Sequence, residues 1–343
     1  MNNILLVAED FSVKPSEGLQ VFAYHLAKYL TDRTNLVVAS SAPKQCTSSF
    51  KSFRINDKWI ISKDSISFSR CKKFDSIIYV PSSSFTAGSL FRSIIIMLIF
   101  GSCPIIIAHQ PRNAGFLHRY FSLFSKPQLV LSPSFAIRSQ CSALSIHSSF
   151  ITPGYDWNTF TPPNGDLQYQ LRTKYNLPLD KYIVLHVGHI AKSRNLDVLI
   201  NFEKWDNDIQ VVVVAGYSDS NLKDSLLASN VIILDSYIEN IQEVYKASDC
   251  YIFPVVNASG CLDIPLSILE ASGCNLPIVS TRFGYFGSSL ASGKGLFFYD
   301  NPDEIPALIQ RAKSEAVETR DLFSSYTWDN VFDSYLLPYL PLE

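Results

Sequence analysis

Cysteine pairs, dinucleotide-binding glycines and long apolar runs are all missing from this chain. Its seven cysteines (46, 71, 103, 141, 250, 261 and 274) are scattered, odd in number and never spaced as CxxC. They fit neither a zinc site nor a disulfide framework, and point to free thiols in a reducing compartment. No apolar run is followed by GxGxxG, which argues against a dinucleotide-dependent dehydrogenase. The seven apolar residues between Ser93 and Gly101 fall far short of the ~20 needed to span a bilayer. The opening MNNILLVAEDF has no basic flank and only a brief apolar stretch, so no secretory leader is read there. The expectation is a cytoplasmic protein, at most peripheral on the inner face of a membrane. Charge is scarce as well, at 17% of residues, but 47% of the chain is hydrophobic, which is incompatible with disorder as the organising principle.

What charge there is divides unevenly. Residues 1–155 carry 16 Lys/Arg against 7 Asp/Glu, and residues 156–343 carry 13 against 24, so a net charge of −2 hides a basic half and an acidic half. A basic half suits an anionic partner, and lipid phosphate or a membrane surface is expected rather than nucleic acid. At 343 residues the chain is long enough for two domains. Both halves alternate short apolar runs with amphipathic segments, the pattern of βαβ units on parallel sheets. Strands are expected at Ile4–Ala8, Asn35–Ala39, Ser76–Val80, Pro104–Ala108 and Gln128–Ser132, then at Tyr182–Gly188, Ile209–Gly216, Val231–Leu234, Cys250–Pro254 and Pro277–Thr281. Helices are expected at Gly18–Leu30 and, in the second half, at 194–204, 219–228, 239–247, 265–274 and 302–315. The stretch from Ile151 to Asp166, rich in Pro, Gly and Asn, is the best domain boundary. The expected division is 1–155, 156–325, and a terminal segment 326–343 that packs back on the first domain.

Two segments carry candidate chemistry. In Val187-GHIAKSRNLDVLI-Ile200 a strand ends at Gly188 and the next turn holds His189, Lys192 and Arg194. Cations beside the amides of a strand-to-helix loop can neutralise a pyrophosphate; a solvated basic turn is the plain alternative. In Cys261-LDIPLSILEASGCNLPIVST-Thr281, Asp263 and Pro265 read as a helix start. The first amides of that helix, near Leu266 and Ser267, would suit a phosphate. Glu270 sits one turn further in among Ile268, Leu269 and Ala271. A carboxylate there wants hydrogen-bond donors, and a ribose diol supplies two. No DxD pair or His/Asp cluster is read as arranged for a metal.

At these segments the chain resembles glycosyltransferase family 4, the retaining nucleotide-sugar enzymes of GT-B fold. The family loop V-G-R-L-x-x-x-K-G is similar to Val187–Asn195, with His189 for the Arg, Arg194 for the Lys and Asn195 for the Gly. The family signature E-x7-E-A…G-x-P-V-V-x-T is matched in its later half by Glu270-ASGCNLPIVST, while Leu262 stands at the position of its first Glu and Asp263 one residue after it. Tyr245-KASDCYIFP-Pro254 resembles the Y-x-x-A-D run that precedes that signature, and Thr152-PGYDWNTFTP-Pro162 resembles the family's interdomain N-G-V-D-x-x-x-F-x-P. In the first half, Gly18 lies in a segment like the family's P-x-x-G-G, and His109 ends a strand like the one whose His faces the reaction centre.

The resemblance implies an α/β fold of two Rossmann-like, doubly wound domains facing across a cleft. It implies transfer of a sugar from a UDP- or GDP-linked donor to a hydroxyl of a glycan or lipid-linked acceptor, with retention, in cell-surface polysaccharide or glycolipid synthesis. His109 and Arg194 would be catalytic. Gly18, His189, Lys192, Arg194, Asp263, Leu266, Ser267 and Glu270 would bind the donor, and Arg112 and Arg119 the acceptor, with no cofactor and no metal. Leu262 in place of an acid keeps other readings open, namely a non-catalytic member or a nucleotide-sugar epimerase or hydrolase on the same fold.

Overall fold

A computed structural model describes residues 1–41, 50–56, 60–112, 117–200, 202–236, 238–257 and 261–341, apart from the side chains of residues 70, 71 and 203. The chain divides into two units, Met1–Pro153 with Trp328–Glu343, and Gly154–Thr327. Each is an α/β layer built on one parallel sheet.

In the first unit the strands are β1 (Asn3–Ala8), β2 (Asn35–Ser40), β3 (Ser52–Arg54), β4 (Ser76–Val80), β5 (Ile105–Ile107), β6 (Leu129–Leu131) and β7 (Ser148–Ser149). Their order is β3-β2-β1-β4-β5-β6-β7, every pairing parallel. Runs such as Ile4-LLV-Val7 and Ile105–Ile107 are buried along their length, as strands covered on both faces must be. The helix Gly18–Thr31 buries Phe22, Leu26 and Leu30. The C-terminal helix Trp328–Tyr335 packs on it, with the rings of Trp328 and Phe332 5.8 and 5.6 Å from that of Phe22. The Tyr29 hydroxyl also donates to Asp333 Oδ1 at 2.5 Å. The greasy Ala87–Phe100 segment is a helix with a Thr86/Ser89 capping box, and it ends at Gly101 with φ +81°, where a side chain would be strained.

In the second unit β8 (Tyr182–Val187), β9 (Ile209–Val214), β10 (Ile232–Leu234), β11 (Cys250–Phe253), β12 (Ile278–Thr281) and β13 (Leu296–Tyr299) order as β10-β9-β8-β11-β12-β13, again all parallel. The first strand of the unit lies inside the sheet, and the chain winds outward from it in both directions. The C-terminal ends of β8 and β11 therefore border the switch point, where ligands bind in open α/β sheets. The expected helix at 194–204 is not present. Three short 3-10 turns, Lys192–Arg194, Leu196–Leu199 and Phe202–Lys204, replace it, because Asn195 takes the left-handed conformation at φ +56° and breaks any continuous α-helix. Its Nδ2 donates to Pro254 O at 3.1 Å, which ties the loop after β8 to the end of β11.

The segment that opens the second unit is held from two sides. Arg320 donates to the carbonyls of Trp157, Phe160 and Gly273 and lies 3.6 Å over the Trp157 ring. It thus sets a cation at the C-terminal end of the helix Leu266–Gly273, where the dipole favours it. Gly273 is required for the same packing, since a Cβ there would lie 2.7 Å from the Tyr155 ring and 2.8 Å from Phe160 Cβ. Gly273→Ala is expected to cost about 1–3 kcal/mol through overpacking, read as a fall of several degrees in the melting temperature. An unchanged melting temperature would show that Tyr155 and Phe160 can retreat.

Candidate functional site

Past the end of β8, Gly188 has no room for a side chain. A Cβ would stand 3.0 Å from His186 Nε2 and 3.9 Å from Arg194 Nη1. His186 is buried; its Nδ1 lies 3.0 Å from Ile252 O, while Nε2 has no partner. Burial holds its pKa down to about 4, with the Arg194 charge acting the same way, so the ring is neutral and Nδ1 carries the proton given to Ile252. Arg194, half-buried, reaches across to Cys261 at the far side of the switch point. Burial pushes the Cys261 thiol up, and the Arg194 guanidinium hydrogen-bonded to it acts in the opposite sense. Lys192 is exposed and His189 half-buried.

From the β11 side, Cys261 leads through Leu262, Asp263, Ile264 and Pro265 into the helix Leu266–Gly273, whose N-terminus receives no side-chain cap. Leu262 is buried. Asp263 is buried too, and its Oδ2 accepts from the Tyr285 amide at 3.3 Å. Its backbone oxygen is so close to Gly284, at φ +54°, that a Cβ there would approach it to 2.5 Å. Asp263 thereby anchors the Gly284–Ser289 turn of helix to this loop. Ser267 is half-buried and its hydroxyl is hydrogen-bonded with that of Tyr251. Glu270 is half-buried, and its Oε2 accepts from the fully buried Tyr245 hydroxyl at 2.8 Å. Burial raises its pKa to about 7, against the lowering effect of that hydrogen bond.

His189, Lys192, Arg194, Asp263, Leu266, Ser267 and Glu270 thus all belong to the second unit, in the loops and helix that follow β8 and β11. Together they offer fixed positive charge, uncapped amides and a carboxylate within one structural element pair. Gly18, His109, Arg112 and Arg119 belong to the first unit. Gly18 starts the helix Gly18–Thr31. His109 follows β5 and is 1% exposed; its ring lies 4.1 Å from that of Phe22, neither nitrogen has a partner, and burial lowers its pKa to about 3. Arg112 is exposed and donates to Gln110 Oε1 at 3.0 Å, and Arg119 is exposed on the helix Leu117–Phe124.

Sequence reasoning missed a buried ionic network at the matching position of the first sheet. Glu9, just past β1, accepts from Arg92 Nε at 2.6 Å, from the Ser82 amide at 3.0 Å, from the Ser82 hydroxyl at 2.6 Å and from the Tyr79 hydroxyl. Arg92 also donates to Ser83 Oγ at 2.7 Å. Every oxygen of Glu9 is satisfied, so this group fixes the loop after β4 and carries no vacancy for a ligand. The signal was there in a lone Arg inside an apolar helix and a Tyr inside an apolar strand. The chain's one Asp-x-Asp run, Asp206–Asp208, precedes β9 at the opposite edge of its sheet, and Asp206 is held by Lys313 at 2.7 Å and Gln310 at 2.8 Å. Among the described residues no three His, Cys, Asp or Glu side chains group so as to hold a metal ion.

Residues 168–327 match the family Glycosyl transferases group 1. The resemblance read from the motifs holds over this region. A D-inositol 3-phosphate glycosyltransferase of Corynebacterium urealyticum is 26% identical over 170 residues, 45% of this chain and 39% of its own length. Its counterpart in Mycolicibacterium vanbaalenii is 24% identical over 222 residues, 55% of this chain and 46% of its own length. The matched region thus spans less than half the length of these curated relatives. Among solved structures, Anabaena HepE in complex with UDP superposes with a TM-score of 0.76 at 14% identity, covering 97% of this chain and 98% of that one. Sucrose-phosphate synthase from Thermosynechococcus elongatus gives 0.74 at 13% identity, covering 99% and 98%. The fold is GT-B.

The raised pKa of Glu270 has a definite consequence for stability. A carboxyl that ionises at about 7 when folded, against its ordinary 4.5, favours the folded state fully below pH 4.5 and loses that contribution as pH rises through 7. Glu270→Gln cannot ionise. In urea titrations it should therefore gain on the wild type between pH 4.5 and 7, by up to ~3 kcal/mol, and hold a constant lead above that. A difference independent of pH would mean that Glu270 titrates as an exposed carboxylate.

Proposed function

We propose that this chain is a retaining glycosyltransferase that moves a sugar from a nucleoside diphosphate donor to a hydroxyl of a glycan or lipid-linked acceptor, in cell-surface polysaccharide or glycolipid synthesis. The observation that carries this reading is the convergence of Arg194, Lys192, the uncapped start of the helix Leu266–Gly273 and Glu270 on the β8/β11 switch point. Such a site neutralises a diphosphate and offers a carboxylate to a ribose diol. The similar Anabaena structures were solved with UDP and with UDP-glucose, which favours a UDP-linked donor over a GDP-linked one.

On this reading Arg194 and Lys192, with the amides of Leu266 and Ser267, stabilise the negative charge that grows on the departing diphosphate. Fixed donors aimed at developing charge are the strongest single contribution to such reactions. No metal is needed for that neutralisation. Within the second unit, the side chains of His189 and Asp263 complete the donor's surroundings. His109 keeps in this proposal the catalytic role that the resemblance gives it, with both ring nitrogens unmatched, and the leaving phosphate takes the proton of the acceptor hydroxyl. Arg112 and Arg119 face solvent and serve an anionic acceptor; the curated relatives are named for transfer to an inositol phosphate. The donor site is tested by Arg194→Ala. Losing a charge-assisted contact costs ~1.5–3 kcal/mol, so calorimetry should show UDP binding weakened by about tenfold or more, and unchanged affinity would remove Arg194 from the site.

The acceptor side of the proposal rests on surface. Leu98, Leu117, Tyr120, Leu123 (83% exposed) and Phe124 stand in solvent on two helices of the first unit. Those helices meet where Ser125 Oγ contacts Met97 Sδ at 3.2 Å. Arg119 and Lys126 accompany this patch in the basic half of the chain. No helix among the described residues is long and apolar enough to cross a membrane, so attachment would be peripheral: apolar insertion together with attraction to anionic lipid. Co-sedimentation should show binding to vesicles containing phosphatidylglycerol, no binding to purely zwitterionic vesicles, and release at about 1 M salt, where screening acts within ~3 Å. Equal, negligible binding in every condition would point to a soluble acceptor.

A further inference from the structure

Beside the phosphate-binding loop lies an aromatic side chain that no part of the chemistry above employs. Tyr217 follows β9, the strand paired in register with β8 as far as Val187 and Val214, so it emerges at the same sheet edge as His189, Lys192 and Arg194. Its backbone is pinned to their loop. The Ile190 amide donates to Tyr217 O at 2.9 Å, the Asp219 amide donates to Ile190 O at 2.7 Å, and Ile190 bridges Ser218. The side chain is treated differently. Tyr217 is 61% exposed, and its ring meets that of His189 edge-on, with centroids 5.9 Å apart at 66°. The space next to it is open as well, because a Cβ on Gly216 would meet nothing within 4 Å. One strand further out, Asp235 is paired with Lys223 at 2.5 Å, so that neighbouring acid is neutralised rather than set against an incoming anion.

A large ring on a pinned backbone, braced on one side and 61% exposed, offers a flat apolar face that a planar group can cover. The occupant must also reach Lys192 and Arg194, three and five residues beyond His189 in the neighbouring loop after β8. A diphosphate joined to a planar base meets both conditions. We infer that Tyr217 is the stacking platform for the nucleobase of the donor, with His189 bracing the ring, and that it sets how tightly a nucleotide is held relative to a bare diphosphate. This rests on the donor-site reading above, and its test separates the two.

The experiment measures UDP and inorganic pyrophosphate binding by calorimetry for the wild type, Tyr217→Ala and Tyr217→Phe. Base–aromatic stacking predicts a loss of about 5- to 100-fold in UDP affinity for Tyr217→Ala. Tyr217→Phe should stay within about twofold of the wild type, because the ring and not the hydroxyl does the stacking, and pyrophosphate should bind all three proteins alike. A Tyr217→Trp variant adds an optical readout, in which UDP quenches the new indole and pyrophosphate does not. Undiminished UDP affinity in Tyr217→Ala would overturn the proposal, and so would equal losses for UDP and pyrophosphate, which mark general damage to the loop. A wild-type protein that binds neither probe would instead overturn the donor-site reading, and the stacking platform with it.

Discussion

The parallel pairing of β8 with both β9 and β11 is the constraint on which the rest of the second unit depends. A parallel strand cannot be joined to its neighbour by a tight turn, so each connection must leave the strand's C-terminal end and cross a face of the sheet. Because β8 has neighbours on both sides, the connections after β8 and β11 depart on opposite sides and leave their first residues facing one another. Asn195, Gly188 and the Asp263–Gly284 contact all serve that geometry. Asn195 accepts a left-handed backbone and bonds to Pro254, Gly188 lets the chain pass His186, and Asp263 braces the loop before the helix. The chemistry is assembled from what these loops carry.

Burial then decides which groups hold charge. His186 and His109 are enclosed and held neutral, and Glu270 is poised to ionise near neutrality. Arg194 sets a guanidinium, the side chain suited to fixed positive charge, in a half-buried place. Within the second unit, the Arg194 guanidinium, the neutral His186 ring and a carboxyl that gives up its proton near pH 7 make a set biased toward an anionic ligand that brings hydrogen-bond donors of its own. The proposed ribose diphosphate fits that description.

Much of this was legible in the sequence, and the failures have physical causes. The long central strands show as unbroken apolar runs, since both faces of a parallel sheet are covered. Edge strands β3 and β7, three and two residues long, have no periodicity to read. The helix expected at 194–204 failed on one backbone angle. The family pattern, with Gly where Asn195 stands, was the available clue, because Gly and Asn are the residues that tolerate left-handed backbone. Glu270 stood out because its neighbours are apolar, but its partner Tyr245 lies 25 residues away in sequence, and only the fold brings them together. Tyr79 and Arg92 showed only as polar groups in apolar segments, and their pairing with Glu9 waits on the fold for the same reason; His186 looks like any residue of a buried strand until its ring is seen against Gly188.

The central claim is that a nucleoside diphosphate is held by backbone and side chains at the β8/β11 switch point. Amide hydrogen exchange with and without saturating UDP tests it most directly, because the amides themselves are the proposed ligands. The account predicts slower exchange confined to 188–195 and 263–270, with the first unit's strand ends unchanged. Binding of UDP that leaves both segments exchanging as before, or that protects the loops of the first unit instead, would contradict it.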